Sequence, residues 1–308
     1  MKRFFNVAGH TFAVSMSDDS PIWDMMDNYS PFIAEEPASE LFSLSTVSCL
    51  PDRELEPVLL QENVNADDEA ASLNLYRTAC GYRVSMAPNR LSDICGWLDM
   101  SENLTQGHLQ ILSKDPSGAK FAFDNSLMLL FAFSTSTKRT LEMHSSTVVY
   151  NGMAFMFLGK SGTGKSTHSR LWMENIPGTW LLNDDNPAIR IREDGTAMVY
   201  GTPWSGKTPC YRNRHAPIAA IVMLEQAPYN RIQRLRVPEA YAAIYSSASG
   251  FHADAAMADG LFETMSAAVT GIPFYRLECL PNAEAAVLCH DTACDNHSNE
   301  CNALPTGK

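Results

Sequence analysis

One stretch constrains this chain more than any other: FLGKSGTGKSTHSRLW, residues 157–172. Residues 159–166 fit the pattern G-x-x-x-x-G-K-[ST] in full, between an apolar run (MAFMFL) and a segment with helical texture. Each residue type has a mechanical reason. Gly159, Gly162 and Gly164 let the backbone wrap closely around phosphate oxygens. The N–H groups around Ser161, Gly162, Thr163, Gly164 and Thr167 then point inward, and the following helix presents its positive end. Lys165 reaches the β- and γ-phosphates, and the Ser166 hydroxyl ligates magnesium. The competing reading is a glycine-rich turn with an accidental lysine. The strand–loop–helix context favours nucleotide binding, with ATP and Mg2+ as the expected pair.

The segments before the loop narrow the fold. SSTVVY and MAFMFLG read as two strands joined at Asn151-Gly152, a strong two-residue hairpin signal. A hairpin leading directly into the loop implies a mixed, partly antiparallel sheet rather than a purely parallel one. Upstream, Asp124 or Asn125 is expected to cap a helix through SLMLLFAFSTSTKRT. Downstream, AIRIRED and AMVYG read as a further hairpin, and IAAIVMLE as a buried strand. Two helices, PEAYAAIYSSA and DAAMADGLFETMSAAVTG, precede a last strand, FYRLEC, and a last helix, PNAEAAVLCH.

Three further groups bear on chemistry. LLNDDNP is a strand that ends on two acids, Asp184 and Asp185, 19 and 20 residues after Lys165. One carboxylate there suits a metal and the other a general base. Neighbouring side chains on a strand point oppositely, so the pair works only where the strand ends, as Asn186-Pro187 implies. The alternative is an acidic turn without function. YGTPWSGKTPCYRNRH gathers Lys207, Arg212, Arg214 and His215 within nine residues. In an acidic chain this suits stabilisation of a transferring phosphoryl group, with Lys207 the strongest candidate; a solvated loop weighs equally. His144 precedes Gly159 by 15 residues and has no weight alone. His168 is expected to face solvent or a domain boundary.

MHSSTVVYNGMAFMFLGKSGTGKST followed by LLNDD resembles the core of the HPr kinase/phosphorylase family, which shares its kinase core with phosphoenolpyruvate carboxykinases. The resemblance covers roughly residues 120–290. It implies an α/β (α+β) fold with a mixed sheet of the carboxykinase/HPr kinase type and a P-loop. It implies ATP- and Mg-dependent transfer of the γ-phosphoryl group to a serine-type hydroxyl of a peptide, protein or small metabolite. Position by position it matches His144, Lys165, Ser166, Asp184 and Asp185: Ser166 and Asp184 as metal ligands, Asp184, Asp185, His144 and Lys207 as catalytic candidates. It leaves open which aspartate is the base, and it implies a homo-oligomer. The chain departs from the family at Thr167, where an acid usually stands, which argues against phosphorylase chemistry. The family's later signature has no clear match, which argues against HPr as substrate. A non-catalytic ATP-binding sensor and a carboxykinase-like enzyme are the alternatives. The intact lysine and paired acids weigh against the first, and the chain length against the second.

The remainder of the 308 residues sets limits. A formal charge of −12, from 35 acids against 23 basic residues, disfavours nucleic acid and anionic membrane as partners. No run approaches the roughly 20 apolar residues of a membrane span. MKRFFNVAGHTFAVS lacks the apolar core of a signal peptide, so a cytoplasmic location is expected. Residues 1–120 read as a small β-rich α+β accessory domain, opening with a hairpin near Gly9-His10. Residues 121–291 read as the kinase domain and 292–308 as a disordered tail. The tail region holds Cys289, His290, Cys294, His297 and Cys301, zinc-type ligands at spacings that match no standard finger.

Overall fold

The computed structural model describes residues 1–58, 71–206, 208–250 and 254–302, with 295–302 as backbone. The chain divides into two compact units, Met1–Lys138 with Gly250–Gly260, and Arg139–Ser249 with Leu261–Lys308. It is a mixed α/β protein with two mixed sheets.

The first unit is built on nine strands: β1 (Lys2–Val7), β2 (His10–Ser15), β3 (Ile33–Ala34), β4 (Ser43–Thr46), β5 (Glu56–Pro57), β6 (Ser72–Thr78), β7 (Gly81–Ala87), β8 (Gly96–Ser101) and β9 (Gln106–Ile111). Their order is β3-β1-β2-β4-β9-β8-β7-β6-β5. β4 runs parallel to both β2 and β9, and the other pairings are antiparallel. The hairpin expected near Gly9-His10 is present as β1–β2. The Pro-containing segment after it forms two 3-10 turns, Pro21–Met25 and Asp27–Phe32. An aromatic core follows from the alternation of strand residues, with Phe12 stacked on Phe42 at 4.9 Å and Tyr29 edge-on to Phe5 at 5.6 Å.

Helix α1 (Pro116–Thr135) closes this unit and corrects two expectations. It starts at Pro116, not near Asp124, because Asp115 accepts from the Ser117 and Gly118 amides and Pro116 suits the first helical position. Asp124 lies inside the helix and accepts from Lys120 Nζ at 2.8 Å and the Tyr29 hydroxyl at 3.0 Å. The helix packs on β7, β8 and β9, so the unit extends to Lys138 instead of ending at 120. Gly107 makes that approach possible: a Cβ there would stand 2.5 Å from Leu130 Cδ1.

The second unit contains β10 (Thr140–Met143), β11 (Ser145–Tyr150), β12 (Met153–Leu158), α2 (Lys165–Asn175), β13 (Trp180–Asp185), β14 (Ala188–Ile191), β15 (Ala197–Tyr200), β16 (His215–Gln226), β17 (Arg231–Arg234), α3 (Val237–Tyr245) and β18 (Ala248–Ser249). It continues with α4 (Ala255–Gly271), inside which the division between units falls, then β19 (Phe274–Cys279) and α5 (Ala283–Asn302). The sheet order is β13-β11-β12-β16-β15-β14-β10-β18, with β19 pairing β16 and β17.

The Asn151-Gly152 hairpin is present, with φ of 48° and 76° at the two turn residues, both positive as the tight primed turn requires. β12, which feeds the glycine loop, lies between antiparallel β11 and parallel β16. Its side chains alternate between two cores. Ala154, Met156 and Leu158 face a cluster with Ile244 of α3 and Met265 of α4. Phe155 and Phe157 face Trp172 of α2 and Cys289 of α5, with Phe155 and Trp172 ring centroids 4.8 Å apart. Strands β10 and β17, which the sequence reading does not include, complete the sheet. α5 runs to Asn302, into the stretch expected as a disordered tail from 292, whose residues 303–308 lie outside the described ones; apolar Ala286, Cys289 and Ala293 recur at helical spacing and hold the first half of the helix on the core. No helix among the described residues is long and apolar enough to cross a membrane.

Candidate functional site

The glycine loop joins the C-terminal end of β12 to the first turn of α2. Gly162 and Gly164 adopt φ of 77° and 105°, a region costly for side-chain-bearing residues, and Gly164 is the N-cap of α2. No side chain caps that end, so its first N–H groups point out of the helix toward the loop. Gly159 lies against β16, where a Cβ would meet the Leu224 carbonyl at 3.2 Å. Within the loop, the Thr163 amide and hydroxyl both donate to the Lys160 carbonyl, at 3.1 and 2.7 Å. Lys165 is buried, and its ammonium donates to the Gly159 carbonyl at 2.9 Å. Ser161, Gly162 and Ser166 are exposed, and Thr167 is half-buried.

The paired aspartates reach the same end of the sheet. β13 lies antiparallel to β11, with Asp185 opposite Ser145 and Asp184 opposite Ser146. The two acids differ in surroundings. Asp184 is only 3% exposed. Asp185 is partly exposed, has φ of 150°, and carries Oδ1 3.6 Å from His144 Nδ1. A positive φ at a non-glycine residue is strain that surrounding structure must hold. Here the holding is visible. Asp185 bridges to Ser205, and the Gly206 amide donates to the Asp184 carbonyl at 2.7 Å. Asn183, fully buried, donates to the Trp204 carbonyl at 3.0 Å and accepts the Asn186 amide at 3.0 Å. Asn183 therefore ties the turn after the aspartates to the loop at 202–206.

Charge couples these groups. Burial holds the Lys165 ammonium below its ordinary pKa, opposed by Asp185 and then Asp184. Burial lowers His144, the nearby Lys165 charge lowers it further, and Asp185 opposes both. His144 is thus neutral near pH 7. Glu142, two residues before it on β10, is 1% exposed, and neither carboxylate oxygen has a partner among the described residues. Burial pushes its carboxyl well above the usual range, and Asp185 adds to the effect.

The structure gathers the loop, Lys165, Asp184, Asp185 and His144. Lys207 lies outside the described residues, although its neighbour Gly206 touches the aspartates: a Cβ there would meet Asp185 Cγ at 3.2 Å. Arg212 and Arg214 stand elsewhere. Their guanidinium groups lie 5.3 and 5.7 Å from the Trp180 ring centroid, at the start of β13, about 16 Å of strand from Asp185. His215 packs on Tyr200 at 5.1 Å. His168 faces neither solvent nor a boundary: it is 3% exposed, accepts from Trp172 Nε1 at 3.2 Å, and its pKa is lowered to about 4 by burial. In the tail cluster, Cys289 is buried in the core and His290 pairs with Asp291 at 2.8 Å. The side chains of His297 and Cys301 lie outside the described residues. Among the described residues no group of three or more His, Cys, Asp or Glu side chains could hold a metal. Magnesium bound with a nucleotide needs no such group, since one or two carboxylates plus phosphates suffice. The Ser166 hydroxyl and the buried Asp184 carboxylate are oxygen donors of that kind.

No family model matches this sequence, and no curated protein matches it. Among solved structures, the HPr(Ser) kinase/phosphatase from Coxiella burnetii is similar over 53% of this chain and 99% of its own, at 13% identity and a TM-score of 0.30. A likeness that distant carries no argument about chemistry.

Proposed function

We propose that the second unit is an ATP- and magnesium-dependent kinase site that moves the γ-phosphoryl group to a hydroxyl of a peptide, protein or small metabolite. The observation that carries this reading is the convergence of a complete phosphate loop with one buried carboxylate, Asp184, and one partly exposed, strained carboxylate, Asp185. The loop amides and the open end of α2 hold the phosphates. Lys165, already partly desolvated, exchanges its contact with the Gly159 carbonyl for phosphate oxygen. Asp184 and Ser166 hold the metal, which when bound neutralises charge on the β- and γ-oxygens.

Asp185 is the base. Its exposed carboxylate takes the acceptor hydroxyl's proton as the acceptor oxygen bonds the γ-phosphorus and the bond to the leaving diphosphate breaks. His144, neutral and 3.6 Å from Asp185, positions that carboxylate and receives the proton as product leaves. The carboxykinase type of sheet, the homo-oligomer and a cytoplasmic setting belong to the same reading.

Label from γ-phosphate-labelled ATP, supplied with magnesium and a cell extract from the protein's source, should pass to a discrete acceptor. Lys165→Ala should abolish that transfer. Tight nucleotide binding with no transfer under any condition would replace the kinase with a sensor.

A further inference from the structure

The strand beside the phosphate loop contributes a side chain that motif reasoning does not include. β16 runs parallel to β12, with Leu158 opposite Met223, so its last residues, Leu224, Glu225 and Gln226, extend alongside the loop. Leu224 offers its carbonyl against Gly159. Gln226, exposed at the strand end, directs Nε2 to the Gly162 carbonyl at 3.3 Å and the Thr163 carbonyl at 3.5 Å.

The geometry of the peptide unit gives this contact a consequence. There are no cis peptide bonds among the described residues, and in a trans peptide C=O and N–H point in opposite directions. The two carbonyls that Gln226 holds belong to the planes whose N–H groups are those of Thr163 and Gly164. A donor holding both oxygens toward β16 aims both N–H groups away from it, into the loop. The Thr163 N–H does point that way, onto the Lys160 carbonyl. Glu225 beside it forms an ion pair with Arg276 of β19, Oε1 lying 3.1 Å from Nε.

We infer that Gln226 is a positioning residue that clamps the phosphate loop from outside, holding the Thr163 amide on the Lys160 carbonyl and presetting the Gly164 amide for phosphate. This rests on the nucleotide reading of the site. Because Gln226 is exposed, Gln226→Leu removes the donor while leaving the fold's thermal midpoint unchanged. Without nucleotide, hydrogen exchange at the amides of residues 162–164 is expected to speed up in Gln226→Leu and slow again in Gln226→Lys, which restores a donor of similar reach. With nucleotide, ATP should bind Gln226→Leu about fivefold more weakly, the usual worth of one hydrogen bond. Native exchange rates together with native ATP affinity in Gln226→Leu, while Lys165→Ala loses binding, would overturn the clamp. Failure of the native protein to bind ATP would instead overturn the nucleotide reading, and loop exchange alone would then decide the clamp.

Discussion

The two units bury carboxylates in opposite ways. In the first, Asp99 is 7% exposed and sits directly across from Arg83 on paired strands. Arg83 Nε and Nη2 both donate to it, the latter at 2.8 Å, and the remaining Nη2 reach goes to the Pro51 carbonyl at 2.8 Å. In the second, Asp184 and Glu142 are more deeply buried, and neither carboxylate oxygen of Glu142 has a hydrogen-bond partner among the described residues. A satisfied buried pair is structural. An unsatisfied buried acid costs stability and persists where it serves a ligand or a reaction. The contrast is between a satisfied pair in the first sheet and, in the second, an unsatisfied acid, Glu142, two residues from His144.

The sharpest way to break this contrast is kinetic. Asp185→Asn should lower phosphoryl transfer about a thousandfold, roughly 4 kcal/mol, and leave ATP affinity unchanged, as loss of a general base does. Equal turnover in native protein and Asp185→Asn, measured with the labelled acceptor, would remove the base assignment.

Next comes stability. Arg83→Ala strands the Asp99 charge in the first unit and should cost about 3 kcal/mol or more in denaturant unfolding. Asp184→Asn in the second unit strands nothing and should change stability by under about 1 kcal/mol, or raise it. Equal losses in both variants would end the distinction between the units.

Acid should act through His168. Its folded pKa is about 4, against 6.5 for the free group. Between those values the unfolded chain binds a proton that the folded chain does not. Stability is therefore complete above pH 6.5 and falls as pH drops toward 4, by about 3 kcal/mol in all. His168→Gln should flatten that part of the pH profile. Glu142 works in the other direction. Its folded pKa is raised, so its contribution is present below the ordinary carboxylate range and lost as pH rises through the folded value. Glu142→Gln should remove that decline.

The smallest effect sharpens the local electrostatics. Removing the Lys165 charge with Lys165→Met should raise the His144 pKa, and Asp185→Asn should lower it, both followed by ring-proton NMR titration. Shifts in the same direction would show that these groups do not share one field.

Much of the second unit was legible in the residues because its signals are local. Asn151-Gly152 specifies a tight turn by itself, and the loop pattern specifies its own strand and helix. The paired aspartates declare a strand end through Asn186-Pro187. The start of α1 was equally legible: Asp115-Pro116 is a cap and first-turn signal, but Asp124 offered a competing cap nearer the apolar run. Glu142 was not legible, because a charged residue in TLEM argues against a buried strand until β14 and β18 enclose it. Gln226 was hidden for a related reason. Its role depends on β16 lying parallel beside β12, and that pairing joins residues more than 60 positions apart. Burial of His168 rests on Trp172 and Phe157 closing around it, which the exposed look of a loop helix concealed.

The central claim is that the second unit binds a magnesium–nucleotide pair through the loop and Asp184. Calorimetric titration of ATP into the native protein, Lys165→Ala and Asp184→Asn, each with and without magnesium, tests it most directly. The account predicts binding that magnesium strengthens in the native protein, binding indifferent to magnesium in Asp184→Asn, and none in Lys165→Ala. ATP affinity unaltered by Lys165→Ala, or no heat with the native protein under any condition, would contradict it.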